Sequence, residues 1–305
     1  FLQNREPKLR ADDLTPVEWE ADPELEWCPP GHGDIYTALL ASGLLDALLD
    51  KGYRYAMTAN SDNLGAVPSA RIAGWFAASG APYAPEMCRR TPADVKGGHL
   101  AVRKSDGRII LRDTAQTPED QMHYFTDQFR HPFFHTNNLW FDLKVLRDTL
   151  AERGGILGLP LIKNSKTVDP ADSSSVPVIQ LETAMGAAVE AFEGATAIEV
   201  PRSRFLPVKT TNDLLLVRSD VYEVDDDGLL QMVPERACTV KLDPRFYKKI
   251  QDFEARFPDG VPSIKGAQSL TVEGDWTFGS GVVATGEALV SQEGSPGRIA
   301  DGARI

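Results

Sequence analysis

The chain has 305 residues, of which 42% are hydrophobic, so it is long enough to bury a large core and to form two domains. Its net charge of −12 argues against binding to nucleic acid or to an anionic membrane surface. No apolar run approaches the ~18 residues of a membrane helix. The three cysteines lack metal-ligand spacing, which predicts reduced thiols and a cytoplasmic protein.

The first distinctive segment is WCPPGHGDIY at 27–36. Gly31-His32-Gly33 follows two prolines and predicts a tight turn whose backbone can approach a ligand closely. Asp34 is expected to cap the helix that the next apolar pattern indicates. That pattern consists of Ile35, Leu39, Leu40, Leu44 and Leu45. Backbone N–H groups at such a helix start suit an anion.

The next segment reads as a buried strand at 56–59 followed by a polar turn at 60–63. Open α/β sheets bind ligands at the carboxyl ends of their strands. The carboxylate of Asp62 would be well placed there to hold Mg²⁺, which prefers one or two carboxylates plus phosphate oxygens. Taken alone, an aspartate in such a position is more often a turn or cap residue than a metal ligand.

Strand and helix patterns alternate up to about residue 240, as expected for a sheet with covering helices. Two stretches, 142–150 and 182–192, have the pattern of amphipathic helices. We assign their apolar residues to the core.

The segment 200–217 is VPRSRFLPVKTTNDLLLV, in which Arg202, Arg204 and Lys209 lie among apolar residues. Cations in a partly buried stretch favour an anionic partner. A turn or a helix cap before the apolar run is predicted from Thr210, Thr211 and Asp213. The segment is therefore either a loop that presents a lysine to a phosphate or a cationic surface loop. Further candidate phosphate-binding cations are Lys96, Lys163 and Lys166.

After a helix predicted at 246–257, the pattern changes to a period of six residues. Two apolar columns two residues apart result: Leu270, Trp276, Val282 and Ala288, and Val272, Phe278, Ala284 and Val290. A hexapeptide period is typical of a parallel β-helix. The alternative, an antiparallel meander, alternates with period two.

Several long strings together resemble the UTP–glucose-1-phosphate uridylyltransferase family of the eukaryotic type, also called UDP-glucose pyrophosphorylases. They are PPGHGDIY (29–36), NSDNLGA (60–66), ADVKGGHL (93–100), HTNNLWFDL (135–143), IKNSKTVD (162–169), QLETAMGAAVEAF (180–192) and the string at 200–217. The family's glycine-rich loop of the type LNGGLGT is absent. The chain therefore resembles an internal fragment, and we expect it to form little UDP-glucose by itself.

The resemblance implies a mixed, largely parallel nucleotide-binding sheet with covering helices, which is a Rossmann-like nucleotidyltransferase domain, over 1–240. It implies a linker helix and a left-handed parallel β-helix over 241–305, through which the family forms oligomers. The implied reaction joins UTP and glucose 1-phosphate into UDP-glucose and pyrophosphate, with Mg²⁺ as cofactor. The alternatives are another UDP-sugar or UDP-N-acetylhexosamine pyrophosphorylase, or a non-catalytic assembly subunit.

The resemblance also carries roles onto individual residues. Gln3 and Gly31 match nucleotide contacts, and Lys209 matches the catalytic lysine that meets the phosphates. Asp62 matches the Mg²⁺ ligand on the substrate side. The sugar phosphate is implied to contact His32, Asn60, Ser61, Gly98, Asn137 and Glu182. His135 receives no role.

Overall fold

The structure is a computed structural model that describes residues 1–91, 94, 97–114, 117–226 and 228–305. These residues form two compact units. The first comprises Phe1–Ala59 and Pro68–Val200, and the second comprises Asn60–Val67 and Pro201–Ile305. The domain boundary at residue 240 stays a prediction. Within the described residues, we find no helix with the length and apolar character needed to cross a membrane.

The elements of the first unit alternate between short strands and helices. The strands are β1 (Glu6–Pro7), β2 (Leu9–Arg10), β3 (Trp27–Cys28), β4 (Tyr55–Thr58), β5 (Tyr83–Arg89), β6 (His99–Val102), β7 (Ile109–Arg112), β8 (Phe133–Asp142), β9 (Leu161–Thr167), β10 (Pro177–Thr183) and β11 (Ile198–Glu199). The α-helices are α1 (Ile35–Ala41), α2 (Leu44–Asp50), α3 (Ala70–Ser79), α4 (Met122–Phe125) and α5 (Leu143–Glu152). Short 3-10 helices include Pro23–Glu26, His32–Asp34, Glu119–Gln121 and Met185–Ala191.

The main sheet of this unit has the strand order β11-β5-β8-β4. β11 pairs with β5 in parallel, but β8 pairs antiparallel with both β5 and β4. The mixed α/β class is confirmed. Three of the four strands of this sheet, β4, β5 and β11, run in the same direction, and β8 runs opposite to them. β4 and β5 do run parallel, with α3 in the connection between them, but β8 lies between them.

Helices cover both faces of this sheet. On one face, Phe76 of α3 packs against Trp140 of β8. On the other face, α1, α2 and α5 contribute to a larger apolar cluster that contains Tyr83 and Phe141. Side chains of successive strand residues point to opposite faces, so both faces of β8 are buried between residues 138 and 142.

Two of the predicted helices differ from the structure. The apolar pattern that starts at Ile35 continues through α2, but Gly43 in the left-handed conformation (φ 72°) separates α1 from α2. The stretch predicted as an amphipathic helix at 182–192 is instead the end of β10 followed by the 3-10 helix Met185–Ala191. Nearly every residue of that 3-10 helix is buried, because its small side chains allow it to be enclosed on all sides. The helix predicted at 142–150 is confirmed as α5.

The second unit begins, after the segment 60–67, at Pro201. Its strands are β12 (Tyr222–Val224), β13 (Leu230–Met232), β14 (Thr239–Leu242), β15 (Ser263–Val272), β16 (Trp276–Phe278), β17 (Val283–Val290) and β18 (Gly297–Ile299). Its helices are the 3-10 helix Arg202–Arg204 and the α-helices α6 (Thr211–Arg218), α7 (Pro244–Tyr247) and α8 (Ile250–Arg256). The helix predicted at 246–257 is thus broken into α7 and α8.

The six-residue period of the sequence corresponds to parallel pairing in this unit. β14, β15 and β17 form one parallel sheet, and β16 pairs in parallel with β18. Leu270 pairs with Ala288 and Val272 with Val290, which are eighteen residues apart, or three repeats of six. The antiparallel alternative is therefore wrong for these strands. The paired side chains enter a buried cluster that also contains Phe253.

Candidate active site

Two of the predicted nucleotide-binding residues contact each other in the first unit. The side-chain Nε2 of Gln3 donates a hydrogen bond of 2.8 Å to the carbonyl oxygen of Gly31. Gly31 has φ 81° and ψ 169°, a conformation that is essentially reserved for glycine. A Cβ atom built on Gly31 would lie only 2.5 Å from the carbonyl oxygen of Thr183. The backbone of this turn thus packs closely against β10, and its approach to a ligand stays a prediction.

His32 follows directly and has a defined tautomer. Its Nδ1 accepts a hydrogen bond of 2.9 Å from the backbone N–H of Met185. Desolvation lowers the pKa of the imidazole, although part of the ring stays exposed, while Glu182 and Asp113 act in the opposite direction. The neutral ring therefore carries its proton on Nε2, which can donate to a ligand.

Asp34 does not cap the helix as predicted. No hydrogen bond joins its side chain to the first turn of α1. Its carboxylate instead accepts hydrogen bonds from the backbone N–H and the side-chain Nδ2 of Asn4, both at 2.8 Å. Asp34 thus fixes the chain next to Gln3, which is a longer-range role than the local pattern indicates.

Glu182 lies on β10 near two other acidic side chains. Burial raises the pKa of Glu6, and the charges of Asp34 and Glu182 raise it further. These three residues line a cavity of about 230 Å³. Carboxylates accept hydrogen bonds and repel phosphate, so this cavity suits hydroxyl groups of a ligand.

His135 connects Gly98 and Asn137 through two hydrogen bonds, one to each residue. The carbonyl oxygen of Gly98 accepts a hydrogen bond of 2.7 Å from the backbone N–H of His135. The Nδ1 of His135 in turn accepts one of 3.1 Å from the N–H of Asn137, which has a positive φ of 65°. His135 has no predicted role, because the related family often has asparagine at this position, and no local pattern indicates that its ring accepts from the N–H of Asn137.

The environment of His135 is unusual for a polar ring. Its Nε2 is buried and has no hydrogen-bond partner within the described part of the chain. Burial, with a smaller effect of His32, lowers the pKa of His135 to about 4. The ring packs against Gly186, where an added Cβ would lie 2.7 Å from its Cε1. His135 is therefore neutral at physiological pH.

In the second unit, the turn that carries Asn60, Ser61 and Asp62 pairs with the segment 204–208. Asn63 forms an antiparallel bridge with Pro207, and its Oδ1 accepts from the N–H of Leu206 at 2.8 Å. The N–H of Val208 donates to the carbonyl oxygen of Asp62 at 2.8 Å. The turn at 60–63 and the segment 204–208 thus lie side by side, although Asp62 and Val208 are 146 positions apart (62 and 208) in the sequence. Lys209 is the next residue after Val208.

The side chain of Asp62 fits a hard cation. Its Oδ1 is buried and has no hydrogen-bond partner among the residues that the structure describes. A buried carboxylate oxygen without a donor costs free energy unless a ligand satisfies it. No cluster of three or more His, Cys, Asp or Glu that could hold a metal occurs among those residues. A single protein carboxylate is compatible with Mg²⁺, which takes one or two protein carboxylates and otherwise binds water and phosphate oxygens.

Lys209 is exposed, so the prediction that it is partly buried among apolar residues is wrong. The reason is the cap of α6, in which Asp213 accepts from the N–H groups of Lys209 at 3.0 Å and Thr210 at 2.8 Å. The sequence predicted a turn or a helix cap here, and the capping box that forms places Lys209 before the helix and out of the core. Lys163 and Lys166 are also exposed on β9, and Lys96 lies outside the described residues.

Comparison with known proteins identifies similar sequences and folds. The family model described as UTP--glucose-1-phosphate uridylyltransferase matches residues 1–284. The UTP--glucose-1-phosphate uridylyltransferase of Solanum tuberosum is 40% identical over 311 residues, and that of Saccharomyces cerevisiae is 40% identical over 294. These matches cover 100% and 95% of this chain, but 63% and 57% of the relatives. The chain thus spans less than two thirds of the curated relatives' length.

Solved structures show the same similarity. A mutant UDP-glucose pyrophosphorylase from Leishmania major in complex with UDP-glucose shares 45% identity with this chain at a TM-score of 0.88. A Trypanosoma brucei structure, named UDP-glucose phosphorylase, shares 45% identity at a TM-score of 0.86. In both cases the match covers 99% of this chain and 66% of the other.

Proposed function

The chain belongs to the UTP–glucose-1-phosphate uridylyltransferase family, and on this premise we propose that it acts in joining UTP and glucose 1-phosphate into UDP-glucose and pyrophosphate. In this reaction the phosphate of glucose 1-phosphate attacks the α-phosphorus of UTP, and pyrophosphate leaves. The structural observation that carries the proposal is the buried Oδ1 of Asp62, which has no hydrogen-bond partner among the described residues. The backbone of Asp62 is also hydrogen-bonded to Val208, the residue before Lys209. Such a transfer needs charge neutralisation and alignment more than covalent catalysis.

On the nucleotide side, we propose that Gln3 and Gly31 bind the uracil. The Nε2 of Gln3 is engaged by the carbonyl oxygen of Gly31, which leaves Oε1 as the atom that can accept. The N3 atom of uracil carries a proton and can donate to this oxygen, whereas N3 of cytosine has none. This arrangement supports a preference for uridine over cytidine nucleotides.

On the sugar side of the first unit, we propose contacts from His32, Gly98, Asn137 and Glu182. His32 offers a donor at Nε2 because Met185 occupies its Nδ1. Glu182 offers an acceptor for hydroxyl groups in a cavity that carries negative charge. A donor and an acceptor of fixed orientation are what a polyhydroxyl ligand requires for recognition.

In the second unit, we propose that Asp62 holds Mg²⁺ and that Lys209 binds the phosphates. The bound Mg²⁺ would reduce the negative charge of the phosphate oxygens. Lys209 provides a positive charge on a flexible side chain that no described residue engages. Asn60 and Ser61, on the same turn as Asp62, are proposed to contact the substrate. The cap of α6 fixes the backbone of Lys209 and leaves its ammonium group to pair with an anion.

We further propose a catalytic domain over 1–240 with a Rossmann-like nucleotidyltransferase fold, and a left-handed parallel β-helix within 241–305. The parallel pairing of β15 with β17 at a spacing of three six-residue repeats supports the β-helix. The open end of such a helix requires a cap or a partner, which supports a homo-oligomer formed through it. Cys28, Cys88 and Cys238 are buried thiols that form no disulfide with one another, which supports a cytoplasmic location.

The experiment that tests this function measures metal binding at Asp62. Mn²⁺ can replace Mg²⁺, and its binding in the presence of pyrophosphate is followed by the relaxation of water protons. We expect Asp62→Asn, which keeps the shape and removes the charge, to weaken Mn²⁺ binding at least tenfold. Asp50→Asn is the matched control, because Asp50 is an exposed carboxylate at the end of α2. Equal Mn²⁺ affinity of the two variants would refute the metal role of Asp62.

A further inference from the structure

A bulge in β8 sets the conformation of Asn137. Pro85 pairs with Leu139 on one side of the bulge, and Met87 pairs with His135 on the other. The three residues at 136–138 therefore lie opposite the single residue Glu86. Asn137, at the centre, has φ 65°, a left-handed conformation that a residue with a Cβ adopts only when its surroundings impose it.

The side chain that binds this bulge from β5 is Glu86, which is completely buried. Its Oε2 accepts a hydrogen bond of 3.0 Å from the Nδ2 of Asn138, and its Oε1 accepts one of 2.9 Å from the Nε1 of Trp140. The backbone of Glu86 also binds the bulge, because its carbonyl oxygen accepts a hydrogen bond of 2.8 Å from the hydroxyl of Thr136. That hydroxyl in turn accepts from the N–H of Asn138 at 3.2 Å.

These contacts fix the residues on both sides of Asn137. Thr136 and Asn138 are attached to Glu86, and the N–H of Asn137 itself donates to the ring of His135. A carboxylate is the side chain that accepts from two donors at once without offering a proton. Burying its charge is unfavourable, and an apolar residue would fill the same position in a regular strand. The carboxylate is therefore matched to the bulge.

We propose that Glu86 is a positioning residue, whose carboxylate holds the β8 bulge and thereby holds Asn137 in the conformation that binds the hexose. This inference rests on the proposed function, which assigns the hexose contact to Asn137. Glu86 itself touches the bulge and not the sugar. Its removal should thus affect binding of the hexose and leave binding of the nucleotide intact.

The substitution Glu86→Gln tests this role, because an amide accepts through one atom and donates through the other. One of the two donors, on Asn138 or Trp140, then faces an N–H group. The double variant Glu86→Gln/Asn138→Asp moves the carboxylate to position 138, so that both hydrogen bonds can form again. The amide at position 86 then accepts from the Nε1 of Trp140 and donates to the carboxylate at position 138. Glu199→Gln is the matched control, since Glu199 is an exposed carboxylate of the same sheet.

The first readout concerns the bulge and requires no ligand. In Glu86→Gln, amide hydrogen exchange at Asn137 should accelerate at least tenfold relative to wild type and to Glu199→Gln. The double variant should recover most of the protection. Unchanged exchange in Glu86→Gln would overturn the inference. If Glu86→Gln does not fold, Thr136→Val, which removes only the hydroxyl bonds to the same bulge, replaces it with the same expected acceleration.

The second readout compares two ligands by titration calorimetry. Losing about one hydrogen bond to the sugar should weaken UDP-glucose binding by about tenfold in Glu86→Gln and leave UDP binding within about twofold. The double variant should restore the preference for UDP-glucose. If wild type prefers UDP-glucose and Glu86→Gln keeps that preference, the positioning role is refuted. If wild type binds UDP-glucose no better than UDP, the hexose contact proposed above fails instead, and hydrogen exchange still decides whether Glu86 holds Asn137.

Discussion

The substitution Gly31→Ala should destabilise the first unit strongly, because the turn at Gly31 packs directly against β10. The backbone conformation of Gly31, with φ 81° and ψ 169°, costs a residue with a Cβ about 1–3 kcal/mol. The new methyl group would also lie 2.5 Å from the oxygen and 2.7 Å from the nitrogen of Thr183, so the turn or β10 must shift. We expect a total loss of about 3–4 kcal/mol in the free energy of unfolding.

Gly80→Ala provides the matched control in the same unit. Gly80 also has a positive φ of 67°, but a Cβ built on it meets no atom within 4 Å. Its substitution should therefore cost only the backbone strain, about 1 kcal/mol. The difference between the two variants isolates the contact between the turn and β10.

Urea denaturation followed by tryptophan fluorescence measures both variants, and equal slopes would show that the same surface unfolds. If Gly31→Ala were no less stable than Gly80→Ala, the close packing of this turn would be refuted. A second consequence concerns the ligand. Because Gln3 is anchored on the carbonyl oxygen of Gly31, a displaced turn should also weaken UDP binding.

Two further predictions concern His135 and Lys209. Burial lowers the pKa of His135 to about 4 from the ordinary 6.5, so the unfolded state binds its proton first as the pH falls. The difference in the free energy of unfolding between wild type and His135→Asn should be constant above pH 6.5. It should shift against wild type by on the order of 3 kcal/mol as the pH falls toward 4. Urea melts that show a pH-independent difference would contradict this. Lys209→Ala should leave the free energy of unfolding within about 0.5 kcal/mol, because the side chain is exposed. It should weaken pyrophosphate binding about tenfold in calorimetry, with only partial recovery in Lys209→Arg, and wild-type affinity in Lys209→Ala would exclude a phosphate contact.

Local sequence patterns predicted those elements whose interacting residues lie close together in the sequence or recur at a fixed spacing. A turn or helix cap was predicted at Thr210 and Asp213, and the structure shows a capping box there, because the two residues bind each other within one turn. The six-residue period correctly predicted parallel strands, since the repeat length itself sets which residues stack, as in Leu270 and Ala288. The strand predicted before the turn at 60–63 is confirmed as β4, although its four residues are half-buried and not buried as predicted.

Features that depend on distant partners were not predictable in this way. The antiparallel position of β8 between β4 and β5 depends on pairing between residues at least 44 positions apart (89 and 133), which no local pattern encodes. Asp34 has the sequence context of a helix cap but binds Asn4, thirty positions earlier. Lys209 was expected to be partly buried because of its apolar neighbours, whereas the cap of α6 determines its exposure.

In the candidate site, too, residues within recognisable sequence strings were predicted, and a residue that acts through distant partners was not. Long strings shared with the family predicted roles for Asp62, His32 and Asn137, whose side chains carry recognisable chemistry. Glu86 was missed, because it lies in a strand without a motif and acts through hydrogen bonds to residues 52 and 54 positions later. A charged residue inside an otherwise buried strand was the available signal, since a buried carboxylate requires specific donors.

The measurement that tests the central claim most directly is the binding selectivity of this 305-residue chain among sugar nucleotides. Titration calorimetry in the presence of Mg²⁺ would compare UDP-glucose with UDP-N-acetylglucosamine and with CDP-glucose. The account predicts the tightest binding for UDP-glucose, with about tenfold or greater loss when the uracil is replaced, because Gln3 then faces a base without the N3 proton. Equal affinities for the three ligands, or tighter binding of either competitor, would contradict it.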